Sequence, residues 1–434
     1  MNHTAQQLID FIKKSPDCFH AVRTMEDELA SCGFHRLHEN RKWTLERGGK
    51  YYVTRNGSSL IAFSIPFHEM NGMRIMASHS DSPTFKIKEN PEIEAEGHYI
   101  KLNVERYGGM ICAPWFDRPL SVSGRVIVNG DSCVPDGADS GEELPDGLNS
   151  VLVNIDRDLV IIPNLAIHMN REMNDGYKYN AQKDMLPLYG STSLKDSFMK
   201  TVAEAAGVKE EDVLGHDLFL YNRQEASVWG NDEFISCSRL DDLQCAFSSL
   251  KGFLAGQKEK YMAVHCVFDN EEVGSGTKQG AASTFLYDTL IRIHGTLGYT
   301  HEDYLVHLAN SFMVSADNAH AVHPNHGDKA DPVNRPYVNG GIVIKFNAAQ
   351  KYCTDGVSAA MFRKICQKAG VPVQVFTNRS DMAGGSTLGN ISNTQVALNT
   401  VDIGLAQLAM HSPYETSGVK DTEYLIRAAE EFFC

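Results

Sequence analysis

Two adjacent glutamates, Glu271 and Glu272, follow an apolar stretch near the middle of the chain. The stretch, residues 262–268, is rich in Val and ends in an aromatic residue, which predicts a buried strand of a mostly parallel sheet. Open α/β sheets hold their ligands beyond the carboxyl ends of the strands, where these acidic residues would lie. Two hypotheses fit: one glutamate binds a metal ion while the other acts as a general base, or the acidic turn caps the next helix.

Two further pairs of residues could contribute to such a site. His79 and Asp81 follow the predicted strand 73–78 as His-x-Asp, and a metal-ligating imidazole commonly donates its other N–H to a carboxylate. An ordinary turn at the end of a strand is the alternative. Asp241 and Asp242 precede an apolar, helix-like run, where a carboxylate can either bridge two metal ions or cap the helix, with Asp242 in its first turn.

A third region of this kind begins at Asp317, directly after the predicted strand 312–316. Several histidines in one loop rarely result from packing alone, and three follow here: His320, His323 and His326. His411 comes after the predicted strand 400–404. A lone histidine is more often structural than a metal ligand, so His411 becomes a candidate ligand only in combination with the other residues.

The combination predicts a two-metal site. Two histidines and three carboxylates can hold a pair of zinc ions when one carboxylate bridges them, and Glu271 would be the nearby base of a hydrolytic site. The sequence has no His-Glu-x-x-His motif, no Gly-x-Ser-x-Gly elbow and no phosphate-binding glycine loop, which disfavours the corresponding enzyme classes. The five candidate ligands, all at or near strand ends of one inferred sheet, are His79, Asp241, Glu272, Asp317 and His411.

The elements that would position these residues predict an α/β fold. Helix-like patterns cover residues 4–14, 19–32, 357–368 and 421–433, and Asn56-Gly57 between two β-rich runs indicates a hairpin. Strands alternate with helices after residue 261, which predicts a mixed, mostly parallel sheet between helices. From about residue 91 the sequence pattern becomes typical of strands separated by glycine-containing turns. We therefore expect a catalytic domain formed by residues 1–90 and 230–434, and an inserted β-rich domain, residues 91–229.

Composition limits the class of protein further. The 434 residues exceed one ordinary core, and 42% apolar with 22% charged residues is typical of a soluble globular protein. A formal net charge of −15 without a basic stripe argues against nucleic acid as a partner. No apolar run reaches the roughly 18 residues that a bilayer span needs, and no signal-peptide core is present. Ten scattered cysteines without a Cys-x-x-Cys pair fit a reducing cytoplasm.

Nine ordered stretches, spread over nearly the whole chain, carry a family resemblance: SHSDSP (78–83), GGMICAPWFDRPLS (108–121), IPNLAIHMNR (162–171), NDEFIS with SRLDDLQC (231–245), DNEEVGS (269–275), SADNAHAVHPN (315–325), GGIVIKFN (340–347), RSDMAGGSTLG (379–389) and LAMHS (408–412). They resemble the M18 zinc aminopeptidases, which include aspartyl aminopeptidase, and the bacterial branch in particular. The departures from the family pattern, at Ser80, Asp242, Ala383 and Gly385, touch no proposed ligand.

The resemblance implies a role for each candidate residue. Asp241 would bridge two Zn²⁺ ions, one of them exchangeable for Mn²⁺ or Co²⁺. His79 and Asp317 would complete one site, and Glu272 and His411 the other. The general base would be Glu271, with Asp81 as the carboxylate behind His79. The residues that match the family's substrate contacts are His168, His320, Lys345 and Tyr352.

The resemblance also implies the fold, the assembly and the substrate. The fold would be of the zinc-exopeptidase type, with the inserted domain used for dimerisation, and the subunits would form a tetrahedral dodecamer built from dimers. Peptides with a free N-terminus, beginning with Asp or Glu, would be the substrates, because Lys345 would meet the acidic side chain. A solvated lysine at a strand end is the alternative for Lys345. A neutral aminopeptidase, or a scaffold without activity, are the alternative functions.

Overall fold

The computed structural model describes residues 3–132, 134, 141–142, 144–256 and 260–434. Its ten α-helices are α1 (His3–Lys14), α2 (Cys18–Ser31), α3 (Ala181–Asp184), α4 (Phe198–Ala206), α5 (Leu240–Ala255), α6 (Phe285–Thr296), α7 (His301–Ala309), α8 (Gly356–Ala369), α9 (Leu388–Ser392) and α10 (Val419–Phe432). Its strands are β1 (His35–Leu37), β2 (Lys50–Arg55), β3 (Ser59–Ser64), β4 (Met73–His79), β5 (Thr84–Ala95), β6 (Tyr99–Tyr107), β7 (Leu120–Asn129), β8 (Leu148–Asn154), β9 (Leu188–Ser191), β10 (Val213–Asn222), β11 (Ser227–Trp229), β12 (Phe234–Cys237), β13 (Met262–Phe268), β14 (Phe312–Ala316), β15 (Ala319–His320), β16 (Ile342–Phe346), β17 (Val373–Thr377), β18 (Asn399–Gly404), β19 (Ala406–Leu408) and β20 (Glu415–Gly418).

Chain contacts divide the protein into two compact units. The first consists of Met1–Asp81, Ala226–Met410 and Glu415–Cys434, and the second of Ser82–Glu225 with His411–Tyr414. The predicted insertion began at residue 91, but β5 begins at Thr84 and belongs as a whole to the second unit. The assembly role expected for the inserted domain stays a prediction.

A nine-stranded sheet forms the centre of the first unit, in the order β1-β2-β3-β13-β4-β14-β18-β16-β17. Its neighbours pair in parallel except for β2 with β3, β3 with β13, and β18 with β16. The mixed, mostly parallel sheet predicted from the sequence is thus confirmed. The hairpin between β2 and β3 turns at Asn56 and Gly57, both with φ of 61°.

Helices cover both faces of this sheet, as its central strands require. Ala263 and Val267 of β13 pack into one apolar cluster with α1, α2, α5, α8 and α10, whereas Val264 and Cys266 pack into a second with α6, α7 and α9. A strand buried on both faces must be apolar at consecutive positions, which explains the run at residues 262–268. A smaller five-stranded sheet, β11-β12-β20-β19-β15, completes the unit.

The second unit is built on a six-stranded antiparallel sheet, in the order β8-β7-β10-β5-β6-β9. Its apolar core contains Phe85, Trp115 and Phe198, and α4 packs on it. The β-rich character expected for this part of the chain is therefore present.

None of the helices that the structure describes combines the length and the apolarity needed to cross a bilayer. The nine cysteines among the described residues are free thiols.

Candidate metal centre

Three neighbouring parallel strands bring the acidic segments to one edge of the central sheet. β13, β4 and β14 lie side by side, with Phe268 opposite His79 and Ser315 opposite Ala77. Parallel strands end at the same edge, so the residues after Phe268, at His79 and after Ala316 meet there. Sequence reasoning placed all five candidate ligands at strand ends of one sheet, and the strand order accounts for His79, Glu272 and Asp317. The prediction was wrong for the other two, because Asp241 follows β12 and His411 follows β19, both strands of the five-stranded sheet.

His79 is buried and is held between two aspartates. Its Nδ1 lies 3.1 Å from the carbonyl oxygen of Asp81 and 3.3 Å from Asp81 Oδ1, while its Nε2 lies 3.5 Å from Asp241 Oδ1. A hydrogen on Nδ1 satisfies Asp81 and leaves the lone pair of Nε2 directed toward Asp241, the tautomer that a metal ligand needs. Burial lowers the pKa of His79, but the neighbouring carboxylates outweigh it and the net pKa is raised.

Asp81 joins the histidine to the acidic turn. Its two carboxylate oxygens accept hydrogen bonds from the backbone N–H groups of Glu271 and Glu272, both at 3.2 Å. The turn itself reverses at Asn270, whose φ is 62° and whose side-chain oxygen accepts from Thr277. Asp81 therefore orients both the imidazole and the two glutamates.

The acidic turn does not cap a helix, which was the alternative for these residues. Glu271, Glu272 and Val273 form a single 3₁₀ turn, and the next α-helix, α6, begins only at Phe285 with Thr284 as its N-cap. Glu271 and Glu272 are therefore directed by their turn and by Asp81.

Asp241 and Asp242 stand at the start of α5 without helical geometry. Their ψ angles are 108° and 18°, and Arg239, the N-cap residue, makes no side-chain capping bond. The backbone N–H of Asp241 donates to Glu415 Oε2 at 3.0 Å, and Asp242 Oδ2 accepts from the backbone N–H of His79 at 3.2 Å. Both aspartates are buried at the site. The structure therefore does not support the alternative that these aspartates cap α5.

Lys345 brings a positive charge to this edge. Its Nζ lies 3.6 Å from Asp317 Oδ2 and 3.1 Å from the carbonyl oxygen of Asn318, and it stands 5.3 Å from the centre of the Tyr352 ring. Lys345 is only 2% exposed, so it is not the solvated strand-end lysine of the alternative hypothesis. Burial lowers its pKa, but Asp317 and Tyr352 outweigh that effect and the pKa is raised.

Within the first unit, two groups of side chains have the spacing of a metal site. The ligand atoms of His79, Asp241, Asp242 and Asp317 lie within 4.8 Å of one another, as do those of His79, Glu271 and Glu272. Sequence reasoning treated Asp242 as part of a helix start, and only its adjacency to Asp241 could have indicated that it joins the group. Nitrogen and carboxylate oxygen donors in this number suit zinc and similar divalent ions.

The electrostatics of the cluster favour a bound cation. Burial above all, with neighbouring carboxylates in addition, raises the pKa of Asp242, Glu272 and Asp317, although His79 or Lys345 opposes the rise. Burial likewise raises the pKa of Glu271 to about 8, against the opposing effect of His79. Carboxylates of this kind are unfavourable when they are charged and buried without a counter-ion. The residues present therefore fit a divalent metal centre.

His411 and His168 belong to the second unit. His411 has a φ of 67°, and its Nδ1 makes a hydrogen bond to the carbonyl oxygen of Gly109. A carbonyl partner on Nδ1 leaves Nε2 with the lone pair, as in ligating histidines. His168 lies exposed in a turn. Metal binding by His411 and substrate contact by His168 stay predictions.

His320 and Tyr352 lie in the first unit, near Lys345. The His320 ring is 6.0 Å from that of Phe376, and Phe376 is 6.3 Å from Tyr352, measured between ring centres. Tyr352 is buried, whereas His320 is exposed at the end of the short strand β15. Three of the four predicted substrate contacts, His320, Tyr352 and Lys345, are thus connected through the ring of Phe376. Their contact with substrate stays a prediction.

Comparison with known proteins assigns the family. The family model described as "Aminopeptidase I zinc metalloprotease (M18)" matches residues 11–433. A relative from Clostridium acetobutylicum, named "Probable M18 family aminopeptidase 2", is 47% identical over 436 residues, which cover 99% of this chain and 98% of that protein.

Solved structures agree with this assignment. The chain matches a structure of the Ape4 and Nbr1 complex at 34% identity with a TM-score of 0.92, covering 99% of this chain and 85% of that one. It also matches the structure of the S. cerevisiae mApe1 dodecamer at 27% identity with a TM-score of 0.84, covering 99% of this chain and 96% of that one. The chain belongs to the M18 family of zinc metalloaminopeptidases, which are hydrolases.

Proposed function

We propose that this aminopeptidase removes an N-terminal Asp or Glu from peptides and uses two zinc ions in each subunit. Asp241 would be shared by both ions, His79 and Asp317 would hold one, and Glu272 and His411 the other. When bound, the ions supply Lewis-acid polarisation of the scissile carbonyl and lower the pKa of the attacking water. One of the two positions would also accept Mn²⁺ or Co²⁺.

The residues of the chain would carry the proton and orient the substrate. Glu271 takes a proton from the attacking water and later delivers it to the leaving amine. Asp81 keeps Glu271 in place through the turn's backbone N–H. His168 donates a hydrogen bond to the developing oxyanion, while His320 and Tyr352 contact the substrate beside it.

One observation carries the proposed preference for acidic residues: the buried ammonium group of Lys345 beside Asp317. A buried cation that is also next to a metal ligand could attract the carboxylate of an Asp or Glu side chain. In a neutral aminopeptidase this charge would serve only to offset Asp317, so the two alternatives differ in whether Lys345 also meets the substrate.

The first test uses paired chromogenic substrates, with N-terminal Asp and N-terminal Leu. Chelated enzyme should be inactive, and zinc, manganese or cobalt should restore hydrolysis of the Asp substrate far above that of the Leu substrate. Restored activity on Leu alone would keep the metal chemistry and reject the acidic preference. Failure with every metal on both substrates would reject the proposed reaction and favour a scaffold.

Substitution of Lys345 by Met tests the source of the preference. Lys345→Met keeps the length of the side chain but removes the charge, and should lower the ratio of Asp to Leu hydrolysis by roughly thirty-fold or more, as for loss of one partner of a buried charge pair. The control is Lys351→Met, since Lys351 is exposed. Zinc content is measured in both variants. If the ratio survives in a zinc-loaded Lys345→Met enzyme, another group selects the acidic side chain.

Substitution of Glu271 by Gln tests the general base. Glu271→Gln keeps the size of the side chain but cannot take a proton, so kcat should fall by about 10²–10⁴-fold while the zinc content stays the same. The exposed Glu302 of α7 provides the matched control, Glu302→Gln. A fully active Glu271→Gln enzyme would show that the base lies elsewhere.

We also propose that the enzyme forms a homo-oligomer, a tetrahedral dodecamer built from dimers, and works in the cytoplasm. The solved S. cerevisiae mApe1 dodecamer is similar to this chain over nearly its whole length. The segment around His168 exposes apolar side chains, with Leu165 52%, Ile167 47% and Met169 77% exposed, as an interface would. Free thiols at all described cysteines support a reducing compartment.

A further inference from the structure

A cavity of about 220 Å³ lies in the first unit between the loop that follows β15 and the segment that follows β17. We call it the histidine cavity. Its polar lining consists mainly of nitrogen-bearing side chains: His320, His323, His326, Lys329, Asn378 and Arg379. Among the described residues that line it, none carries a carboxylate. A lining of this kind suits a ligand that accepts hydrogen bonds.

Two of the donors can be assigned from their surroundings. The Nδ1 of His323 accepts a hydrogen bond from the backbone N–H of Asn325 at 3.2 Å, so the proton of the neutral ring is on Nε2. The side-chain nitrogen of Asn378 is buried and has no hydrogen-bond partner within the described part of the chain. A buried donor of this kind gains free energy when a ligand supplies an acceptor.

The positive charge of the cavity comes from Lys329. Arg379 is already neutralised by Asp381, whose carboxylate accepts two hydrogen bonds from the guanidinium at 2.9 Å and 2.7 Å. Lys329 lies 4.0 Å from Asp328, but both side chains are 67% exposed, and an exposed pair of this kind contributes little. The Lys329 ammonium can therefore turn to an anionic ligand.

The walls of the cavity are fixed by local hydrogen bonds. Arg335 donates to the carbonyl oxygens of Gly327 at 3.1 Å and Asp331 at 3.2 Å, which closes the loop after β15. The side-chain amide of Asn334 then joins this loop to Thr377 at 3.1 Å. A cavity whose walls are held in this way loses little conformational entropy when a ligand binds.

The lining of the cavity includes residues that adjoin the proposed substrate site. His320 and Phe376 both line it, and Phe376 packs against Tyr352, whose ring lies 5.3 Å from Lys345 Nζ. A peptide whose first side chain reaches Lys345 would therefore have its following residues close to the cavity.

We propose that the histidine cavity binds a carboxylate carried by the peptide after its first residue, with Lys329, His323 and His326 as the main donors. The inference rests on the proposed aminopeptidase function and extends it to the second part of the substrate. The carboxylate can belong to an acidic side chain or to the C-terminus of a short peptide, since both present the same chemistry. The enzyme would thus favour short or acidic peptides beyond the requirement at the first residue.

The test compares four substrates: Asp-p-nitroanilide, Asp-Ala-Ala-NH₂, Asp-Glu-Ala-NH₂ and Asp-Ala-Ala with a free C-terminus. Metal-loaded wild-type enzyme should cleave at least one of the two carboxylate-bearing tripeptides with a kcat/KM roughly five-fold above that of Asp-Ala-Ala-NH₂, the size expected for one partly exposed ion pair with hydrogen bonds. A preference for Asp-Glu-Ala-NH₂ identifies a side-chain carboxylate, and one for the free acid identifies the C-terminus.

The triple variant His323→Ala, His326→Ala, Lys329→Ala should reduce this ratio to about one, whereas Lys364→Ala, an exposed substitution on α8, should keep it. The far-UV spectrum and zinc content of the triple variant establish that it is folded and loaded. No preference in the wild-type enzyme, or a preference that survives the triple substitution, overturns the role of the cavity. Failure of the wild-type enzyme to cleave Asp-p-nitroanilide overturns the proposed function itself.

Discussion

The residues of the candidate metal centre lie far apart in sequence, and each was ambiguous by itself, so only their combination predicted a metal site. Apolar runs that form central strands in the structure precede His79, Asp317 and the two glutamates. A strand end in a parallel sheet is a position that sequence can recognise, because the run and its polar successor are local. Asp242 was not recognisable as part of the group, since an acidic pair before a helix equally fits a cap.

Lys345 was the residue for which sequence was least informative. It occupies the fourth position of β16, in the run Ile-Val-Ile-Lys-Phe, where a lysine can either point to solvent or be buried with a partner. The decision depends on Asp317 and Asn318, which lie on another strand end. Burial set by distant elements cannot be obtained from a local pattern.

His265 allows a prediction on pH and stability. It is fully buried in β13, its Nδ1 lies 2.7 Å from the Ser249 hydroxyl, and burial lowers its pKa to about 3. The ordinary pKa of a histidine is 6.5, so between pH 6.5 and about pH 3 this residue is protonated in the unfolded chain but not in the folded chain. The free energy of unfolding should therefore fall as the pH falls, by up to about 1.4 kcal/mol per pH unit from this residue.

Urea unfolding of chelated protein at pH 7.5 and pH 5.5 checks this contribution. The stability difference between wild type and His265→Gln should be about 1 kcal/mol smaller at pH 5.5, because the variant lacks the titrating ring. Ser249→Ala is the control: it removes the hydrogen bond but keeps the buried imidazole, so its pH dependence should resemble that of wild type. Parallel pH profiles for wild type and His265→Gln would contradict the prediction.

At the scale of elements, the helices and central strands that were predicted from local pattern lie close to those of the structure, whereas α4, α6 and α7 were not predicted. The predicted helix 357–368 is Gly356–Ala369, and the predicted strand 312–316 is Phe312–Ala316. Strand order was beyond such reasoning, because β13 lies between β3 and β4, which are far away in sequence. The five-stranded sheet was likewise not predicted: its strands are short and come from distant segments, so they lack a periodic signal.

The packing of α5 against α10 gives a prediction with an internal control. A Cβ at Gly252 of α5 would lie 2.3 Å from the Cβ of Ala429 in α10, so Gly252→Ala requires the helices to separate. It should lower the free energy of unfolding by about 1–3 kcal/mol through overpacking. Gly295, also helical, has nothing within 4 Å of the equivalent position. Gly295→Ala should raise stability by up to about 1 kcal/mol through helix propensity.

Thermal and urea denaturation of the two variants measure the difference. Because the chemical change is the same, any effect common to glycine-to-alanine substitution cancels between them. Equal stabilisation of both variants would mean that α5 and α10 can separate at this contact without loss of stability.

At the scale of the whole molecule, the family resemblance also implies that the inserted domain reaches across to a neighbouring subunit, which would place His168 in its neighbour's active site. His168→Ala and Glu271→Gln enzymes should each be nearly inactive. When the two are dissociated, mixed in equal amounts and reassembled, a mixed dimer has one site with both wild-type residues. About a quarter of wild-type activity should then return, as expected for random pairing across a two-fold interface.

Light scattering should give the reassembled particle a mass about twelve times that of the 48.1 kDa chain. The control is a mixture of Glu302→Gln and Glu271→Gln enzymes. It shows how much activity random pairing returns when one of the two subunits has a wild-type active site. No recovery in the His168→Ala and Glu271→Gln mixture, with the particle reassembled, would place His168 in its own subunit's site or outside catalysis.

Strand β4 has a position in the sheet that affects how the chain is made. It ends at His79, but its two neighbours are β13 and β14, and the whole of the range 82–225 is synthesised before either exists. At roughly 5–20 residues per second, the ribosome needs on the order of ten seconds or more to reach β13. During this time a strand that is apolar on both faces is without the partners it has in the sheet.

The second unit is nearly continuous in sequence and can fold during that interval, because its six strands all lie between Thr84 and Asn222. The central sheet can close only after β14 and β18 have been made. Nascent chains should therefore depend on chaperones that cover apolar strands, and translation slowed within residues 82–311 should reduce the yield of soluble enzyme while leaving the finished protein as stable as before.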